Sequence, residues 1–181
     1  MSIPDDDTVL DRRLGTMRII FFTLLTGVVI FLVIALVVRA NGNMGPPPAT
    51  PLLTYFGLAF AALQLVLSTF IPDRVAAQAR RKMPPREAPA RAGPEGTQGW
   101  NATDRGPWYA VYQTRLIIGM ALLEGAAFLL TIAYLVEGYW LSIAGVVVLL
   151  AAMAARYPTR SGVDGWADRQ QELLREERMG V

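Results

Sequence analysis

Four blocks of this chain, from about Met17 to Val38, Pro51 to Ile71, Ala110 to Val136 and Tyr139 to Ala155, contain only Arg18, Arg115 and Glu124 as formal charges. Apolar runs of about 20 residues match the length a helix needs to cross a hydrocarbon layer about 30 Å thick. Inside that layer every backbone amide and carbonyl must find a partner within the protein, which an α-helix provides locally. The expected fold is therefore all-α, with four antiparallel transmembrane helices. They divide the chain into an N-terminal segment (1–16), a first hairpin (17–71), a long polar loop (72–109), a second hairpin (110–155) and a tail (156–181).

The segments between the blocks punctuate them. Residues 1–16 carry Asp5, Asp6, Asp7, Asp11, Arg12 and Arg13, with Val9, Leu10, Arg13, Leu14 and Met17 near helical spacing. A short interfacial helix leading into the membrane is expected there. The apolar run that follows is too long, and lacks the small-residue site, for a cleavable signal peptide. Asn41-Gly42-Asn43 and Pro46-Pro47-Pro48 turn the chain between the first two spans. Pro51 suits the first turn of the second span, and Pro72-Asp73 marks its exit, although Asp73–Met83 has the composition to continue as helix. Residues 84–106 are rich in Pro, Gly and Ala and read as extended loop. Trp100, Trp108, Tyr109 and Tyr112 then resemble the aromatic belt at a headgroup layer. Glu137-Gly138 reads as a tight turn, and Asp164 as the cap of a weakly amphipathic helix carrying Trp166, Gln170, Leu173, Leu174 and Glu177 on one face.

Basic residues set the orientation. Sixteen of the 17 are arginine, and Arg39 alone lies in a loop on the far side. The excess of positive charge near span ends faces the cytoplasm, so both termini and the long loop are expected there, in a cell membrane. Arg80, Arg81 and Lys82 form the densest basic stretch and are candidate contacts for anionic lipid. No nucleic-acid-binding fold accompanies them.

The chain has no cysteine and no histidine. Zinc, haem and iron–sulfur ligation lose their usual donors, and Ser-His-Asp or Cys-His catalysis cannot be assembled. No cofactor, metal or enzymatic activity is expected.

The most informative residue is Glu124, near the middle of the third span. An acid at a helix centre costs about 2.5–3.5 kcal/mol on insertion scales. It should therefore face other helices. Gln64 on the second span and Thr26 on the first are its candidate polar partners, either as an interhelical contact or as a proton or ion site. Small residues at Ala121, Gly125, Gly57 and Gly145 should allow close helix packing. The first and third spans also align: Leu24-Leu25-Thr26-Gly27 with Leu122-Leu123-Glu124-Gly125, while Leu53-Thr54 and Gly57 match Leu141-Ser142 and Gly145 more loosely. A duplicated hairpin with parallel halves produces such a pattern, and so does apolar composition by itself.

These features favour a structural or accessory subunit of a larger membrane complex, with the bilayer and other membrane subunits, or further copies of the chain, as partners. The alternative is a small transporter or ion-coupled channel built on Glu124.

Overall fold

All the apolar blocks are helical in the structure, a computed structural model describing residues 6–42, 48, 50–82 and 106–179. Among these residues the chain forms five helices and no strand: α1 (Asp6–Ala40), α2 (Leu52–Lys82), α3 (Gly106–Glu137), α4 (Trp140–Ala154) and α5 (Arg160–Met179). The extended loop expected over 84–106, with Trp100, lies outside the described residues.

Three helices, α1, α2 and α3, are long and apolar enough to cross a membrane. The block expected as a fourth span is different. Its helix, α4, has 15 residues. At ~1.5 Å per residue it extends roughly 22 Å, less than a hydrocarbon layer of about 30 Å.

Helix boundaries depart from expectation where no residue forces a break. Nothing between Asp6 and Met17 stops a helix, so α1 is continuous and, among the described residues, no separate interfacial helix precedes it. Leu14 and Met17 belong to its buried side. Helix α2 runs through Pro72, which is buried, and ends ten residues later at Lys82. Helix α3 starts at Gly106 with Pro107 in its first turn, where the missing N–H has no intrahelical role.

The packing is centred on α3. Half of its most apolar stretch is buried inside the protein, against 17% for α1 and 22% for α2. Helices α1, α2 and α4 each make their main contact with α3. Side-chain register gives the directions. Gly57 of α2 lies against Leu130, Ser68 near Gly119, and Asp73 on Arg115, so α2 is antiparallel to α3. Gly27 of α1 faces Glu124 and Phe31 stacks edge-on to Phe128 at 5.3 Å, so α1 and α3 run the same way. The core consists of Met17, Phe21, Val28, Met120, Leu123, Leu130, Val146, Leu149 and Met153 among others.

Leu130 is the knob of this core. It has no exposed surface. A Cβ added at Gly57 would come within 2.9 Å of its Cδ2, and one at Gly145 within 2.7 Å of its Cδ1 and 3.0 Å of Leu58 Cδ2. Glycine on both sides lets α2 and α4 close on one leucine. Replacing Gly145 with leucine should therefore cost about 1–3 kcal/mol by overpacking, read as a lower unfolding midpoint in detergent. Gly145→Leu with Leu130→Ala should recover part of it.

Helix α5 lies across the end of the bundle where α1 begins, here the terminal end. Its capping residue is Thr159, whose Oγ accepts from Gly162 N at 3.2 Å. Asp164, expected as the cap, instead accepts from Tyr109 Oη at 3.0 Å. Val163, Trp166 and Ala167 bury against Trp108, Tyr109, Leu14 and Ala76. Trp108 and Tyr109 are therefore core residues, 4% and 3% exposed, rather than a belt. Leu173 and Glu177, expected on one face with Trp166, are exposed, because the bundle meets only the first part of α5.

Candidate functional site

Glu124 lies on the α1 side of α3, half-buried, with its Oε1 3.5 Å from where a Cβ on Gly27 would sit. Gly27 leaves room for the carboxyl against the α1 backbone. Neither candidate partner is bonded to it. Thr26 is exposed, one position round α1 from Gly27, and is not turned to the acid. Gln64 is half-buried on α2, and its Oε1 is buried without a hydrogen-bond partner. No hydrogen bond joins Glu124 to Gln64 or Thr26 among the described residues. Helical geometry explains the separation. Positions 124 and 26 match in the sequence alignment, but α1 and α3 meet one residue out of that register.

The four small residues divide into two pairs. Gly57 and Gly145 are in the core against Leu130. Ala121 and Gly125 are exposed, and a Cβ on Gly125 would meet nothing within 4 Å. With Glu124 they make an outward strip on α3 instead of an internal packing face. Arg80, Arg81 and Lys82 close α2, and their side chains lie outside the described set. Among the described residues no three acids converge as a metal ion would need.

A second polar cluster, at the end where α1–α2 and α3–α4 connect, is more fully satisfied. Glu137, 5% exposed, accepts from Leu53 N at 2.7 Å, Thr54 N at 2.8 Å and Thr54 Oγ at 2.7 Å. These amides belong to the second and third positions of α2, which have no acceptor in their own helix. Glu137 thus caps α2 from another helix, with its charge at the positive end of the helix dipole. Thr54 and Ser142 are both fully buried, with hydroxyl oxygens 2.8 Å apart. The Thr54 proton goes to Glu137, so Ser142 donates to Thr54. Residues that align between the two hairpins are here in contact.

The adjacent helix end is closed by Arg39. Its Nη1 donates to the carbonyls of Leu135 at 3.1 Å and Val136 at 3.3 Å. These are terminal carbonyls of α3, short of amide partners. Gly138 follows with φ of 67°, and its N–H bonds Tyr134 O at 2.7 Å. The Arg39 guanidinium lies over its Cα.

The sequence pattern concealed this cluster. Glu137 beside glycine at the end of an apolar block has the signature of an exposed turn. The one available signal was the pair Thr54 and Ser142, each in the first turn of its block at the same end.

Searches against family models, curated proteins and solved structures found no match to this chain.

Proposed function

We propose that the chain is a multi-pass membrane protein of the cell membrane, without enzymatic activity, that serves as a structural or accessory subunit of a larger membrane assembly. In this reading α4 is a fourth, short crossing and both termini are cytoplasmic, following the basic residues. The observation that carries it is Glu124 beside the exposed Ala121 and Gly125. A carboxyl without a hydrogen bond is unfavourable against lipid tails, and two neighbours without bulk let another helix approach closely enough to bond it.

The same unpaired acid favours a second reading, a small transporter or ion-coupled channel using Glu124. Gly27 stands beside it, and among the described residues no second ionisable group is bonded to it to relay a proton, which weighs toward the subunit reading.

The chain has no cysteine, so Gly125→Cys introduces a single thiol. In native membranes it should cross-link to one defined partner subunit or to a second copy, whereas Val148→Cys on the exposed side of α4 should not. Glu124→Gln, still able to hydrogen-bond, should retain association, and Gly125→Leu should abolish it. A chain recovered as a monomer, with no cross-link at 125 and with ion flux in liposomes that Glu124→Gln removes, would favour transport instead.

A further inference from the structure

Arg156 leaves the end of α4 and turns back into the bundle. Its Nη2 donates to Ser68 Oγ at 2.8 Å, and a Cβ on Gly119 would lie 2.7 Å from Nη1. Ser68 is 3% exposed. Its carbonyl oxygen lies 3.5 Å from the same Gly119 position, and Pro72, four residues on, has no amide hydrogen to offer it. Helices α2, α3 and α4 therefore leave a polar notch at one level, kept open by the missing side chain at 119.

A second cation stands one turn away. Arg115 pairs with Asp73 at 2.9 Å and lies 5.7 Å from the centre of the Trp166 ring. Arg115 is one helical turn before Gly119, against which the Arg156 guanidinium sits. Asp73 is engaged by Arg115, and among the described residues Arg156 has no acid partner. A guanidinium presents five N–H donors, and the bond to Ser68 uses one. The notch thus holds two positive charges, one carboxylate and unused donors in a fixed fork.

Helix α4 fixes its depth. Because α4 falls short of a full hydrocarbon thickness, polar headgroups must dip toward its end or the guanidinium must face tails. A planar fork with spare donors suits the oxygens of a phosphate, and membranes supply anionic phosphate at this level.

We propose that Arg156, supported by Arg115, binds the phosphate of an anionic phospholipid in the notch between α2, α3 and the end of α4. This differs from attraction of lipid by the Arg80–Lys82 stretch, which requires no defined geometry. It uses no residue of the Glu124 face and rests only on the reading of α4 as a short crossing, not on the subunit role.

The test uses the full chain in mild detergent, titrated with phosphatidylglycerol, phosphatidylcholine or inorganic phosphate. Bound lipid is counted by native mass spectrometry, and tryptophan fluorescence follows the unfolding midpoint. Phosphatidylglycerol should bind and raise the midpoint, with phosphatidylcholine well behind. Arg156→Gln should weaken phosphatidylglycerol about tenfold, as expected for losing hydrogen bonds to a charged group. Arg156→Lys keeps the charge but not the fork and should also weaken it, which covers the case in which the glutamine variant does not fold. Combined Arg80→Gln, Arg81→Gln and Lys82→Gln removes the lipid that stretch attracts but should leave unchanged the further loss caused by Arg156→Gln. Unaltered lipid binding in both Arg156 variants, or no further loss when Arg156→Gln is added to the triple variant, would overturn the proposal. An equal response to inorganic phosphate would replace the lipid by a free phosphate as the occupant.

Discussion

Glu137→Ala should be the most destabilising single substitution in this chain, lowering stability by about 3–5 kcal/mol. The size follows from what is left behind. Two α2 amides, Leu53 N and Thr54 N, lose the only acceptor they have among the described residues. A buried donor without a partner costs about 1–3 kcal/mol. The Thr54 hydroxyl loses its acceptor as well and must compete for Ser142, itself fully buried. The favourable charge at the start of α2 also disappears. Glu137→Gln is a graded control. Its one carbonyl can still accept from one amide, but its amino group then faces donors, so about half of the loss should remain. Glu172→Ala, on the exposed side of α5, should stay within about 0.5 kcal/mol. Unfolding in mild detergent, followed by tryptophan fluorescence, gives the ranking, and hydrogen exchange at Leu53 and Thr54 locates it. A Glu137→Ala protein as stable as the Glu172→Ala control would show that water replaces the carboxylate without penalty.

Gly138→Ala should have the next largest effect, and its cause can be separated into two parts. Gly138 and Gly42 have nearly the same backbone conformation, with φ of 67° and 71°. In that left-handed region a side chain costs roughly 1–2 kcal/mol. Their surroundings differ. A Cβ on Gly42 would meet nothing within 4 Å, whereas one on Gly138 would run into the Arg39 guanidinium. Gly138→Ala must therefore also displace Arg39 from the carbonyls of Leu135 and Val136, leaving the end of α3 open. A loss of about 1–2 kcal/mol is expected for Gly42→Ala and about 3 kcal/mol for Gly138→Ala, the excess being the lost charged hydrogen bonds. In an Arg39→Ala background the two alanine substitutions should cost the same. If the excess persists without Arg39, the guanidinium is not its source.

Residues 39 and 137 illustrate why the candidate site was only partly legible. Both stand next to loops at block ends, where charge is ordinarily solvated. That Arg39 closes the end of α3 and Glu137 the start of α2 depends on α1, α2 and α3 meeting at one level, a long-range relation with no local trace. Glu124 was the reverse case. Its cost in a membrane was evident from position, and the inference that it turns toward another helix agrees with its place against Gly27. Its partners were chosen by depth alone. Depth does not specify the direction around a helix, and neither Gln64 nor Thr26 hydrogen-bonds Glu124 among the described residues. Ala121 and Gly125 share the third-helix face with Glu124, as the helical period requires, yet that face is outward because α1 covers only one side of it.

The sequence by itself determined the all-helical class and the presence of long apolar helices, although it led to an expectation of four spans where three helices are long enough to cross. The reason is local: apolar length and the need to pair every backbone group within a segment leave no other structure. Tertiary structure alone decided that α3 is the central helix, that Leu130 is gripped between Gly57 and Gly145, that Glu137 closes the start of α2 and that Arg156 reaches Ser68. Each depends on which faces of separate helices meet. In apolar helices nearly uniform around their circumference, that choice rests on a few small and polar side chains whose partners lie as many as 97 residues away.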